Sequence, residues 1–388
     1  MHSPAGLSSF GIVRLLDRYL LRELLVPLCY CLSGFLLLWI VADLINELGS
    51  LQEHKLHVGD IAQYYLVQVP GFLVLGLPIA LLLALLYALT NHARHQELTA
   101  IRAAGVSLWR LSLPYFVVGL AASLVLLALN ELWVPGTADK MEQLKNCRLP
   151  PPPGSLTPTK LRNVDFTNER DGRHWHIGVY DTRTGEMLRP GPIITRMNDG
   201  SFRQLYAERA ERRNGSWIFY DVHEYKDPPH SNAPPVLLLV TNVLAKPDFT
   251  ETLEEIASEI KIGTLTGISL NRRAKNPDLP IVEILHYLRL HPHPAQASLL
   301  YTKLEGRLAM PWTCLVVVLI AIPFGAASGR RNVFVGVAGS ILIFFAYYVL
   351  QQVSLALGAG GNLPAWLAGW FPNLAFAVTG LVLTARVR

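Results

Sequence analysis

His95-Gln96-Glu97-Leu98-Thr99-Ala100-Ile101-Arg102-Ala103-Ala104-Gly105-Val106-Ser107-Leu108-Trp109-Arg110 is a charged, alanine-rich stretch between two strongly apolar runs. If both neighbours cross a membrane, this segment is the loop that does not. The runs at residues 66–89 and 111–133 each supply the ~20 apolar residues that a hydrocarbon core of about 30 Å demands. Within the loop, Leu98, Ile101 and Leu108 fall roughly on one helical face with small alanines between them, and Gly105 is a natural stop. Pattern alone leaves two readings of residues 92–109. One is an interfacial helix resting on lipid headgroups, and the other is a coupling helix offered to a soluble partner.

Working outward, four more apolar runs appear at residues 24–42, 308–327, 333–357 and 364–385. Hydrophobic residues make up 51% of the 388 and charged residues only 16%, where an ordinary soluble domain carries about 25%. The apolar residues concentrate at the two ends and the middle is polar. The expected fold is therefore an α-helical membrane protein with six transmembrane helices, three and three, and an inserted domain. The corresponding divisions are an N-terminal membrane half (1–133), an extracytoplasmic domain with a helical return segment (134–300) and a C-terminal membrane half (301–388). Residues 7–23, with Arg14, Asp17, Arg18, Arg22 and Glu23 among leucines, read as an amphipathic helix feeding the first span. That span has no small-residue cleavage site after it, which marks a retained anchor and not a signal peptide.

Charge orients the spans. Arg14, Arg18 and Arg22, then Arg94, Arg102 and Arg110, then Arg330 and Arg331, then Arg386 and Arg388 all fall on one side. The opposite short loops hold only Lys55. Basic residues favour the cytoplasmic side, so both termini are expected in the cytoplasm and the inserted domain outside. In a cell with two membranes that places the chain in the inner membrane and the domain in the periplasm.

The inserted domain reads as β. A Pro150–Pro153 linker opens it, and strand-like runs follow at residues 164–168, 174–181, 193–197, 202–209, 216–225 and 236–243. Turn signals at Asp171-Gly172, Asp199-Gly200 and Asn214-Gly215 separate them. Short antiparallel strands at this spacing suggest a sandwich, a jelly roll or an open barrel. Residues 251–262 and 280–290 look helical.

Several chemistries are excluded. The chain has no GxxxxGK[ST] phosphate loop, no GxSxG and no HExxH. His174 and His176 share a strand face and, with Asp221 and His223, are the nearest thing to a metal constellation, but no ligand spacing supports one. The four cysteines form no framework, since Cys29 and Cys31 point in different directions on a helix. There is no basic tract interleaved with aromatics and hence no nucleic-acid surface. The expectation is no catalytic residue, no metal and no cofactor in this chain. Among charges near span ends, Arg307 is the one expected to face a cavity and bind an anionic headgroup, whereas Gln351 and Gln352 would hydrogen-bond between helices.

Three stretches carry a resemblance to the LptF/LptG permeases of the lipopolysaccharide-export ABC transporter. Leu16-Asp17-Arg18-Tyr19-Leu20-Leu21-Arg22-Glu23 resembles that family's N-terminal helix. Glu97 through Ser107 is similar to its coupling segment. Arg307 through Pro311, Ile322 through Gly325 and Ser328 through Arg331 resemble its fourth span and following loop, and Tyr347 through Leu350 and Pro372-Asn373 also fit. The LptG type is favoured over LptF on the N-terminal helix. The resemblance implies a permease with a periplasmic jelly-roll-like domain. It also implies a second permease of the same family, a cytoplasmic LptB-like ATPase dimer that binds the ATP and Mg, and LptC-like and LptA-like partners that receive the lipopolysaccharide. Glu97, Leu98, Ile101, Arg102, Ala104 and Gly105 would couple to the ATPase, with Glu97 pairing with a basic groove on it and Leu98 and Ile101 filling its apolar pocket. Where the family's pattern has basic residues after the first span, this chain has Asn46 and Glu47. The candidate substrate contacts are thus Arg307, Lys303, Asn46 and Glu47. The competing expectation is a membrane-anchored scaffold whose β domain holds a partner.

Overall fold

The computed structural model describes residues 15–54, 56–146, 160–168, 170–181, 183–197, 201–213, 215–227, 234–266, 280–291, 297–326 and 333–386. The Pro150–Pro153 linker, Asp199-Gly200, Asn214, Cys147, residues 7–14, Arg330 and Arg331 lie outside them. The chain divides into two compact units, one of residues 1–149 and 298–388 and one of residues 150–297. Residues 134–146, expected with the β domain, therefore group with the helices.

The helical unit opens with α1 (Leu15–Glu53), α2 (Val58–Arg94), α3 (Glu97–Ala103), α4 (Leu108–Ala128) and α5 (Thr137–Asn146). Six helices among the described residues are long and apolar enough to cross a membrane. The expected amphipathic helix and first span are one continuous helix from Leu15, because Pro27 is absorbed inside it without ending it. Its 39 residues span about 58 Å at 1.5 Å per residue, well beyond a ~30 Å hydrocarbon core. The polar connection expected at 43–63 is accordingly mostly helix, with only a short turn before α2.

α2 is the central element, with an apolar surface on all sides. Leu77, Ala80, Leu81, Leu82, Ala84 and Leu85 are buried in one core with Leu111 and Tyr115 of α4. A wholly apolar helix is what a position surrounded by others requires. Close approach completes the bundle. A Cβ added at Gly119 of α4 would lie 2.7 Å from Val318 Cγ2, so a larger residue there would force the helices to shift, and small residues generally serve such close approach between membrane helices.

The sheet unit contains β1 (Lys160–Asn168), β2 (Arg173–Asp181), β3 (Met187–Arg196), β4 (Phe202–Tyr206), β5 (Arg209–Arg213), β6 (Ser216–Asp227) and β7 (Val236–Lys246). All pairings are antiparallel. β3 and β6 each pair with both β4 and β5, so those two short strands act as one strand broken at Ala207-Glu208. The sheet is then a meander in chain order, with β1 and β7 as its edges. The antiparallel inserted β domain is as expected, and its described strands connect up and down without a long crossover.

Burial alternates along β2: Arg173, Trp175, Ile177 and Val179 point inward. Trp175, Trp217, Phe219 and Phe249 fill one part of the interior with ring centroids 5.2–6.4 Å apart. The helices α6 (Leu253–Thr266) and α7 (Ile281–Leu290) follow the sheet. A reciprocal cap starts α6: Glu255 N–H donates to Thr252 Oγ1 (3.1 Å) and Thr252 N–H donates to Glu255 Oε2 (2.8 Å). Ahead of it, buried Glu251 (1% exposed) accepts from Arg173 Nε (2.7 Å), Asn168 Nδ2 (2.9 Å) and Trp175 Nε1 (3.3 Å). Its carbonyl accepts from Trp217 Nε1 (2.9 Å). This node fastens the segment after β7 onto the β1–β2 hairpin.

The chain returns to the helical unit through α8 (Ala297–Ala309), α9 (Thr313–Ala326), α10 (Val333–Ala359) and α11 (Ala365–Arg386). A 3-10 turn at Met310–Trp312 joins α8 to α9. In that turn Thr313 N–H donates to Met310 O, and Asn373 Nδ2 donates to Ala309 O at 2.7 Å. Tyr347 OH donates to Asn373 Oδ1 (2.8 Å) and is 2.8 Å from Thr313 Oγ1. Four polar groups thus satisfy each other where no water can, as the membrane interior demands.

Candidate functional site

The loop between α2 and α4 is built by two backbone reversals. α2 ends at Arg94, and Gln96 turns the chain in the left-handed region (φ 65°). α3 follows. It ends where Gly105 adopts φ 83°, with Gly105 N–H donating to Arg102 O (3.0 Å) and Val106 N–H donating to Ile101 O (3.3 Å). That paired arrangement needs a left-handed residue, which glycine supplies without strain. Ser107 Oγ then accepts from Arg110 N–H at 3.3 Å and caps α4.

The orientation of α3 departs from the sequence expectation. Leu98 is 7% exposed and lies in the helical unit's own core, with Ile101 packed beside it. A side chain already buried in its own protein cannot fill a pocket on another. The outward face consists of Thr99, Ala100, Arg102, Ala103, Ala104 and Gly105, all exposed, flanked by exposed Arg94, His95 and Gln96. It is a smooth, small-residue surface with basic groups along it.

Glu97 is also engaged within the chain. His92 Nδ1–H donates to Glu97 Oε2 at 2.7 Å, and Tyr19 OH donates to the same carboxylate at 3.1 Å. Two residues before Tyr19, Asp17 accepts from Arg110 Nη2 at 2.9 Å. The start of α1 is therefore bonded to both ends of the loop. Partial burial raises the Glu97 carboxyl pKa. The hydrogen bonds from His92 and Tyr19, with the positive potential of His92 and His95, outweigh it and leave the group below the ordinary carboxylate value. Nothing in the sequence pairs Tyr19 or His92 with Glu97, and both were missed.

The candidate substrate contacts lie elsewhere, Asn46 and Glu47 near the C-terminal end of α1 and Lys303 and Arg307 on α8. Glu47 is paired with Lys145 of α5 (3.0 Å), and Asn46 is exposed. Lys303 is half-buried. Arg307 is 9% exposed; its guanidinium lies 3.8 Å from Glu131 and donates to Asn130 O at 3.5 Å. Both partners sit in a π-helical turn, Leu129–Trp133, where the wider turn alters the usual carbonyl pairing. The charge expected to face a cavity is thus met by an internal carboxylate. In the sheet unit, His176 donates to Asp165 (2.7 Å) and His174 is bonded to Thr167 (2.8 Å), each to the residue directly opposite in the β1–β2 register. The two histidines are engaged in cross-strand pairs.

A family profile described as "Lipopolysaccharide export system permease LptF/LptG" matches residues 18–386. It covers both permease types together and does not separate them. No curated protein matches the chain.

Proposed function

The chain belongs to the LptF/LptG family of lipopolysaccharide export permeases, and from that premise we propose that it is the membrane subunit through which a separate cytoplasmic ATPase drives lipopolysaccharide out of the inner membrane. It is a multi-pass protein, and its family is a transporter membrane subunit, not an enzyme. The observation that carries the ATP-driven reading is α3. A seven-residue helix is too short to hold itself together in water, yet this one is capped at its C-terminal end, rooted by Leu98 and presents an outward face of small and basic side chains. The sequence has no phosphate loop, so ATP and Mg would be bound by the partner. The charge bias of the short loops supports an orientation with α3 in the cytoplasm and the β domain in the periplasm.

The rest of the chain serves the substrate. A lipid with several acyl chains resists extraction, because each buried CH2 is worth about 0.8 kcal/mol. The energy enters at α3, and the β domain receives the lipid beyond the membrane. β7 supports a relay to a periplasmic bridge. Among the described residues it pairs only with β6, and Val236, Leu237, Leu238, Leu239, Val240 and Val243 are exposed on both of its faces. Such an edge templates an added strand. At the headgroup, Arg307 and Lys303 are the cations of α8, and a lipid phosphate would take the place of Glu131 beside Arg307. α1 and α10, the spans least covered within the chain, are where a second permease of the family would pack.

The test is a tandem affinity purification of the tagged chain in mild detergent. The expected result is a co-purifying cytoplasmic ATPase whose hydrolysis responds to lipopolysaccharide. A chain that purifies without an ATPase and alters no ATPase activity is a membrane-anchored scaffold, and this reading fails.

A further inference from the structure

We propose that His92 and Tyr19 are positioning residues that lock the Glu97 carboxylate in one place, so that α3 moves as one body with the start of α1. The inference rests on the reading of α3 as a docking helix but concerns what happens on the permease side of that contact. α2 and α1 differ sharply in how they are held. In the most apolar part of α2, 72% of residues are buried, against 11% in α1. His92 belongs to the anchored helix and is itself 2% exposed. Tyr19 belongs to the start of α1, where Leu20 and Leu24 are rooted in the core, and is itself 40% exposed. Glu97 accepts a hydrogen bond from each.

The chemistry of the two donors suits different tasks. His92 is enclosed, so its Nδ1–H approaches the carboxylate from a fixed direction, and its ring lies 5.6 Å from that of Tyr19. Tyr19 supplies a single hydroxyl that can follow a moving helix. The Asp17–Arg110 pair at 2.9 Å braces the other end of the loop against the same turn of α1. The loop and the α4 helix that follows it are then tied to α1 at two residues about half a turn apart, while His92 keeps the carboxylate from swinging away. Leu98 alone could not do this, because apolar contact is non-directional and permits rotation.

The test uses the full chain in phospholipid nanodiscs and amide hydrogen exchange, with His92→Phe, His92→Asn and Tyr19→Phe. A hydrogen bond to a charged group is worth roughly ten- to a hundredfold in an equilibrium. His92→Phe is expected to speed exchange in residues 97–104 by about that factor while the core of α2 stays protected. Asn places an amide donor close to the imidazole Nδ1, so His92→Asn should remain within about threefold of wild type. If His92→Asn is as fast as His92→Phe, or if His92→Phe changes nothing, positioning by His92 is refuted. In proteoliposomes with the co-purified ATPase and lipopolysaccharide, Tyr19→Phe should release at least about threefold less lipid per ATP while the ATPase stays bound. An unchanged ratio refutes transmission through α1. If wild type brings down no ATPase, the docking reading fails, and the exchange measurements still decide the clasp.

Discussion

Glu251→Ala tests the node that ties α6 to the sheet. The carboxylate is buried and accepts three side-chain donors, of which Arg173 is charged and itself only 8% exposed at its side chain. Removing one partner of a buried ion pair typically costs about 3–5 kcal/mol, because the other charge is left without compensation. Here Asp171 also pairs with Arg173, and the guanidinium lies 4.5 Å from the Phe249 ring centroid, so the lower end, about 3 kcal/mol, is expected. That corresponds to roughly a 150-fold rise in local opening. Glu251→Gln keeps an oxygen acceptor and loses only the charge, so about half that free energy should be lost. Amide exchange of residues 170–181 and 249–258 in the full-length protein reads both variants. A change below about fivefold for Glu251→Ala would refute the node as the fastening of α6. Equal effects for Ala and Gln would show that the charge alone holds the node and that the retained oxygen contributes nothing.

Three further outcomes are expected. Leu98→Ala should cost about 2–4 kcal/mol by leaving a cavity in the core under α3, and thermal unfolding in detergent measures it; no shift would mean that Leu98 faces outward. Glu97→Lys should leave membrane insertion intact and uncouple ATP hydrolysis from lipid release, since it places a cation beside His92 and breaks the bond to Tyr19; normal lipid transfer by that variant would contradict the role of this segment. Because the Glu97 carboxyl is held below its ordinary value, its stabilisation of the loop is complete above the unfolded carboxylate pKa and is lost as pH falls through the folded one. The difference in α3 exchange between wild type and Glu97→Gln should therefore be constant from about pH 8 to pH 5 and shrink below, and a loss centred near neutrality would contradict it.

The spans were legible because about 20 apolar residues have few other uses. Their ends were not, because Leu44, Ile45, Leu48 and Leu51 continue α1 on the helical period past the bilayer thickness. α5 went unseen because Thr137–Asn146 is polar and gains its place by packing beside α2. In the β domain, period-two alternation located the strands. Pro190 and Pro192 hid the first half of β3, since proline argues against a strand interior, and the break at Ala207-Glu208 had no glycine to announce it. The cap at Thr252 and Glu255 is a readable signature of a helix start. At the candidate site, the amphipathic face of α3 was visible but its direction was not, because a sequence shows that Leu98 and Ile101 share a face without showing what that face meets. The bonds of Glu97 to Tyr19, 78 residues away, and of Arg307 to Asn130, 177 residues away, leave no local signal at all.

The central claim is that the outward face of α3 is where a separate ATPase pushes on this permease. Photo-crosslinking from Thr99, exposed on that face, in intact cells tests it most directly. One dominant adduct is expected, to a cytoplasmic nucleotide-hydrolysing protein, and it should disappear when the crosslinker is moved to buried Leu98. Adducts to lipid alone, or the same adduct from both positions, would contradict it.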